Sequence, residues 1–177
     1  MPDSQSAPTP RLDKLYVSYH HDGDGHFYRE FCRLIAGYYQ PVEDSSVERT
    51  TGCTDAGHVI ANLQRSYIAD TVCTVVLCGL QTAYRRFVDW EIKASLDLSH
   101  GLVAVILPEN LPDWRGRYSL PLRLADNLES GYAECLHLVQ MSRGMRLLGS
   151  RIEAARGRPA RLIKNSRPPL AQGMWSG

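Results

Sequence analysis

Thr71-Val-Cys-Thr-Val-Val-Leu-Cys-Gly79 decides the fold. It is almost continuously apolar and β-branched, the pattern of a strand buried on both faces. Leu102-Val-Ala-Val-Ile-Leu107 is a second such run, stopped by Pro108. Strands of this kind belong in parallel sheets covered by helices on each side. Between the two runs, Phe87, Trp90, Ile92, Ala94, Leu96 and Leu98 lie among the apolar positions of a helix that runs to about Ser99, with Thr82 as its cap. Upstream, Leu15-Tyr-Val-Ser-Tyr19 reads as a strand ending at the polar turn His20-His-Asp-Gly-Asp-Gly25. Phe27, Phe31, Leu34, Ile35 and Tyr38 then recur at helical spacing from His26 to Tyr39, and a short strand is expected around Val42. Asp44 to Gly57 is a polar loop, and Asp55 or Gly57 opens a helix carrying Val59, Ile60, Leu63, Tyr67 and Ile68. Downstream, residues 108–130 read as a long loop with three prolines, Tyr132 to Val139 as an edge strand, and Ser142 to about Arg156 as a helix. Strands alternating with helices predict an α/β fold with a mainly parallel central sheet flanked by helices. Residues 1–13 are expected to be a disordered leader, 14–165 a single domain and 166–177 a tail.

Composition narrows the function classes. The 177 residues hold 20 Lys+Arg against 19 Asp+Glu, and 44% are hydrophobic, an ordinary globular balance. A net charge of +1 argues against a strongly basic nucleic-acid binder. From Arg143 to Arg167 eight basic residues stand against one acid, a local excess best explained by a solvated amphipathic helix. No apolar run reaches the roughly 20 residues of a membrane span. The five cysteines show no CxxC spacing, so a structural zinc site is not expected. They read as reduced thiols packed as small hydrophobes in a cytoplasmic protein. P-loop, G-x-G-x-x-G, G-x-S-x-G and H-E-x-x-H motifs are all missing, which removes the usual support for kinase, dehydrogenase, lipase and metalloprotease readings.

In a parallel sheet, ligands bind beyond the carboxyl ends of the strands. That rule gathers residues 19–25, 44–57 and 79–86 on one rim. Within Thr82-Ala-Tyr-Arg-Arg-Phe-Val-Asp-Trp-Glu-Ile92, Glu91 falls one helical turn after Phe87, so the two share a side. A carboxylate beside aromatic rings can hydrogen-bond ribose hydroxyls and stabilise a developing oxocarbenium ion. Phe87 could stack on nicotinamide or adenine, and Arg85 and Arg86 could pair with a pyrophosphate. The plainer reading stays open: a surface carboxylate favoured by the helix dipole, with Phe87 and Trp90 as core. His20, His21, Asp22 and Asp24 invite a metal or phospho-acceptor reading. Adjacent histidines diverge on an extended chain, however, and the strand ending Leu77-Cys-Gly79 lacks an acceptor Asp. No metal site is expected.

Leu15-Tyr-Val-Ser-Tyr-His-His-Asp-Gly-Asp24, Val72-Cys-Thr-Val-Val-Leu-Cys-Gly79, Arg86-Phe-Val-Asp-Trp-Glu-Ile92, Gly101-Leu…Leu-Pro108 and Arg123-Leu-Ala-Asp-Asn…Ser-Gly-Tyr132 occur in one order over roughly residues 13–140. Together they resemble the bacterial TIR-like domain family of the Thoeris anti-phage defence protein ThsB. The resemblance implies a flavodoxin-like TIR fold and cleavage of the glycosidic bond of NAD, with NAD as substrate and no cofactor. It further implies an ADP-ribose-derived, often cyclic, signal that activates a partner effector. Glu91 would be catalytic, matching the family's spacing of a glutamate four residues after an aromatic. That aromatic is often Trp in the family; here it is Phe87, with Trp90 close by. Ser18, Tyr19, His20, Asp22 and Ser46 match substrate-facing segments. A homo-oligomer and a phage-derived trigger are also implied, so activity should depend on protein concentration or on infection. The alternatives are a non-catalytic interaction module or a nucleotide-binding module without turnover.

Overall fold

The computed structural model describes residues 12–44 and 54–171. Five parallel strands form one sheet: β1 (Asp13–Ser18), β2 (Tyr39–Val42), β3 (Cys73–Cys78), β4 (Leu102–Ile106) and β5 (Glu134–His137), in spatial order β2-β1-β3-β4-β5. That is the flavodoxin-like α/β order, whose reversal point lies between β1 and β3. Every residue of β3 and β4 is buried, as the two apolar runs require.

Alternation along the strands supplies two cores. Leu15, Val17, Val75, Leu77, Val103 and Val105 face α1 (His21–Ile35) and α6 (Arg146–Arg156). On the other face, Val76, Cys78, Ala104 and Ile106 pack under α3 (Arg86–Asp97) and α4 (Leu122–Glu129). Tyr16 joins Trp90 and α2 (Ala56–Leu63), which a π-helical turn extends over Gln64–Ile68. The four-residue α5 (Leu138–Met141) follows β5 directly. Cys32, Cys73, Cys78 and Cys135 are free thiols.

Several boundaries differ from the sequence expectation. The turn at residues 20–25 is the first part of α1, which starts at His21 rather than His26. The Gly23 and Asp24 amides donate to the His20 carbonyl, and Asp22 and Asp24 complement the helix dipole in the first turn. Helical pairing there outweighs the helix-breaking tendency of two glycines. Thr82 does not cap α3. It sits buried in a 3₁₀ turn (Thr82–Tyr84), and Arg85 holds the extended N-cap position. The long loop contains α4, entered from Pro121, whose carbonyl accepts the Ala125 amide. The expected helix from Ser142 begins only at Arg146, because Gly144 at φ +132° turns the chain between α5 and α6. Much of the basic excess is neutralised locally. Arg151 and Arg158 both reach Glu134, Arg156 pairs with Glu153, and Arg167 pairs with Asp126. No helix among the described residues is long and apolar enough to cross a membrane.

Candidate functional site

Residues 89, 90 and 91 of α3 project about 100° apart, and each is tethered to a different part of the molecule. Asp89 takes a two-pronged ion pair from Arg123 (Nε–Oδ1 2.9 Å, Nη2–Oδ2 3.2 Å) and the Leu170 amide at 2.8 Å. Trp90 is buried and its Nε1 donates to the Leu170 carbonyl at 3.0 Å. Glu91, only 1% exposed, accepts a hydrogen bond at Oε2 from Ser18 Oγ. Strand alternation explains the last pairing. Tyr16 and Ser18 point to the α2/α3 side of β1, whereas Leu15, Val17 and Tyr19 point to the α1 side. One turn behind Glu91, its own backbone carbonyl is held by Ser95 Oγ, which shares a hydrogen bond with Thr74 Oγ1 of β3, each at 2.8 Å.

Phe87 is half-buried and meets Trp90 edge-on at 5.2 Å between centroids. The Arg86 guanidinium lies 4.9 Å from the Phe87 centroid and 5.4 Å from that of Trp90, a cation–π arrangement. Arg85, one residue earlier at the N-cap, turns instead to Gln81 and to a cleft of about 370 Å³. His20, Asp22, Gly23, Asp24, Leu80, Gln81 and Glu109 complete its lining. These residues follow the carboxyl ends of β1, β3 and β4, where the strand order reverses.

The structure thus brings the sequence-derived residues together in three groups. Ser18 meets Glu91; Phe87, Trp90 and Arg86 form an aromatic and cationic cluster; His20, Asp22 and Arg85 line the cleft. Tyr19 joins none of them. It stacks on Tyr28 at 4.3 Å and on His21 at 4.1 Å across the sheet from Glu91, and its hydroxyl donates to Glu43 at 2.6 Å. Ser46 lies outside the described residues.

Two residues left without a role at the site by the sequence reading matter here. Asp24 is buried at the cleft wall, where its Oδ2 accepts the Thr82 hydroxyl at 3.0 Å, and the same Oγ1 accepts the Gly79 amide at 2.8 Å. Burial raises the Asp24 carboxyl above its usual range, with the Thr82 hydrogen bond opposing. A Cβ at residue 79 would fall 2.4 Å from Asp24 Oδ1, so this contact demands glycine. Arg123 is the other, and its only sequence signal is an arginine set between Leu122 and Leu124. Among the described residues no group of three or more His, Cys, Asp or Glu side chains is placed to hold a metal.

No curated protein matches the sequence. The family model for the TIR-like domain of the Thoeris protein ThsB matches residues 16–111, a span that opens in β1, takes in Ser18, the cleft and Glu91, and closes just past β4. That span is more than half of the chain, and on this ground the chain belongs to the ThsB TIR-like domain family.

Proposed function

We propose that this protein acts in Thoeris anti-phage defence by cleaving the bond between nicotinamide and ribose in NAD, yielding an ADP-ribose-derived cyclic signal for a partner effector. The observation that carries the reading is Glu91, an acidic side chain on α3 held by Ser18 beside the aromatic and arginine cluster. As the C–N bond breaks, nicotinamide departs with the electron pair and the ribose becomes oxocarbenium-like. The Glu91 carboxylate offsets that charge in a site of low dielectric. Phe87 offers a ring face for stacking, with Trp90 buttressing it from the core. Arg85 and Arg86, on either side of the helix start, supply cations for the pyrophosphate. A hydroxyl of the same molecule then forms the new bond to ribose and releases its proton to solvent; capture by water instead gives ADP-ribose.

The test is NAD turnover with products resolved by chromatography and mass, in lysate from phage-infected cells expressing wild type or Glu91→Gln. Nicotinamide release with an ADP-ribose isomer is expected from wild type, reduced about 100-fold or more in the variant. Equal product from both overturns the enzyme reading. One observation favours a second reading, a non-catalytic interaction module: Glu91 is buried and already hydrogen-bonded, as a structural carboxylate would be. No nicotinamide release by wild type, with defence activity kept in Glu91→Gln, would select it.

A further inference from the structure

We infer that Ser18 serves the reaction through Glu91 and not through the substrate: it is a positioning residue that fixes the carboxylate by donating its hydroxyl proton to Oε2. The inference rests on the catalytic reading of Glu91 given above. Ser18 has no exposed surface, and its hydroxyl proton is already committed to Glu91 Oε2. Its place is set by the sheet, since Ser18 pairs in register with Val76 of β3. A side chain with one rotatable bond to its oxygen, standing on a central strand, is a rigid donor. Glu91 has three rotatable bonds, and the contact with Ser18 removes most of that freedom. The next residue on the same side of the strand is Tyr16, which packs against Val59, Leu63 and Trp90. A hydroxyl at the following inward position forgoes that apolar burial, and the carboxylate of Glu91 is what it meets instead.

The experiment uses the full chain in lysate from phage-infected cells, where NAD cleavage by wild type and Glu91→Gln is first compared. Ser18→Ala, Ser18→Cys and Ser18→Thr are then measured for kcat and KM. Cysteine keeps nearly the volume of serine but is a weak donor; threonine keeps the hydroxyl and adds a methyl. We expect kcat to fall about 10-fold or more in the Ala and Cys variants with KM within about two-fold, because only transition-state stabilisation is lost. The Thr variant should recover much of the rate, and Ser18→Ala combined with Glu91→Gln should be no slower than Glu91→Gln alone. A Cys variant at the wild-type rate would show that Ser18 only fills space. A raised KM at unchanged kcat would make it a substrate contact. Either result, with Glu91→Gln inactive, overturns this inference and leaves the catalytic reading intact. Glu91→Gln as fast as wild type, or no cleavage by wild type, removes both.

Discussion

His100 shows how far a single side chain is governed by its surroundings. Its Nε2 lies 3.0 Å from Thr71 Oγ1, and the Thr71 hydroxyl proton is committed to the Ile68 carbonyl at 2.8 Å. His100 Nε2 is therefore the protonated nitrogen of a neutral ring. Burial, with Arg156 adding to it, lowers the His100 pKa from 6.5 to about 4. The folded-state value lies below the unfolded one, so between those two pH values the unfolded chain takes up a proton that the native state refuses. Stability from this residue is complete above pH 6.5 and falls as the pH drops towards 4, by up to about 3 kcal/mol. Urea denaturation at pH 7 and pH 4.5 should show the fall, and His100→Gln should flatten it. An unchanged slope in that variant would assign the effect elsewhere. Asp126 acts lower on the scale, because its hydrogen bond from Arg167 holds it below the usual carboxylate range. At this scale the sequence was a partial guide. The spacing of Phe87 and Glu91 placed both on one helix, as observed, but nothing in His20-His-Asp-Gly-Asp24 separates an exposed Asp22 from a buried Asp24. That difference is made by Gly79 and Thr82, more than fifty residues away.

Elements were legible where burial is two-sided and obscure where polar residues are recruited into helices. The strands β3 and β4 announce themselves because both faces must be apolar. The start of α1 did not, since glycine and aspartate are turn residues by propensity and become helical here through dipole complementarity and the His20 carbonyl. Helix α4 was hidden by its length of 8 residues and by the prolines around it. Asp55 was a sound signal: its Oδ1 accepts the His58 amide at 3.1 Å and opens α2. Asp55→Ala should cost about 1 kcal/mol in chemical denaturation, with Asp55→Ser restoring most of it. A loss under a few tenths would mean that tertiary packing alone holds the end of α2.

Across the whole molecule, the decisive contact is one that local patterns do not reveal. Arg123 of α4 is fully buried, and its guanidinium meets Asp89 of α3 together with backbone carbonyls of Asn165, Arg167 and Pro168. The segment expected to be a tail from residue 166 thus lies, up to Leu170, against the helix that carries Glu91. A buried pair is weak evidence of net stabilisation, but losing one partner is costly because it strands the other. Arg123→Ala should therefore lower stability by about 3–5 kcal/mol and the melting temperature by roughly 10 °C. Arg123→Met combined with Asp89→Asn should recover part of that loss. A melting temperature within a degree or two of wild type in Arg123→Ala would show that water replaces the pair at no cost.

The same contact sets an order of events during synthesis. The carbonyls that satisfy Arg123 come from residues 42 to 45 positions later in the chain. A growing polypeptide folds from its leading end as it emerges from the ribosome. While those carbonyls are still inside the exit tunnel, the guanidinium keeps its water, and Asp89 and the Trp90 indole lack the backbone of Leu170. The helix bearing Glu91 is fastened on that side only after the ribosome has passed well beyond the sheet. A nascent chain stalled at the end of β5 would carry every residue of the candidate site and still lack the clasp that steadies it.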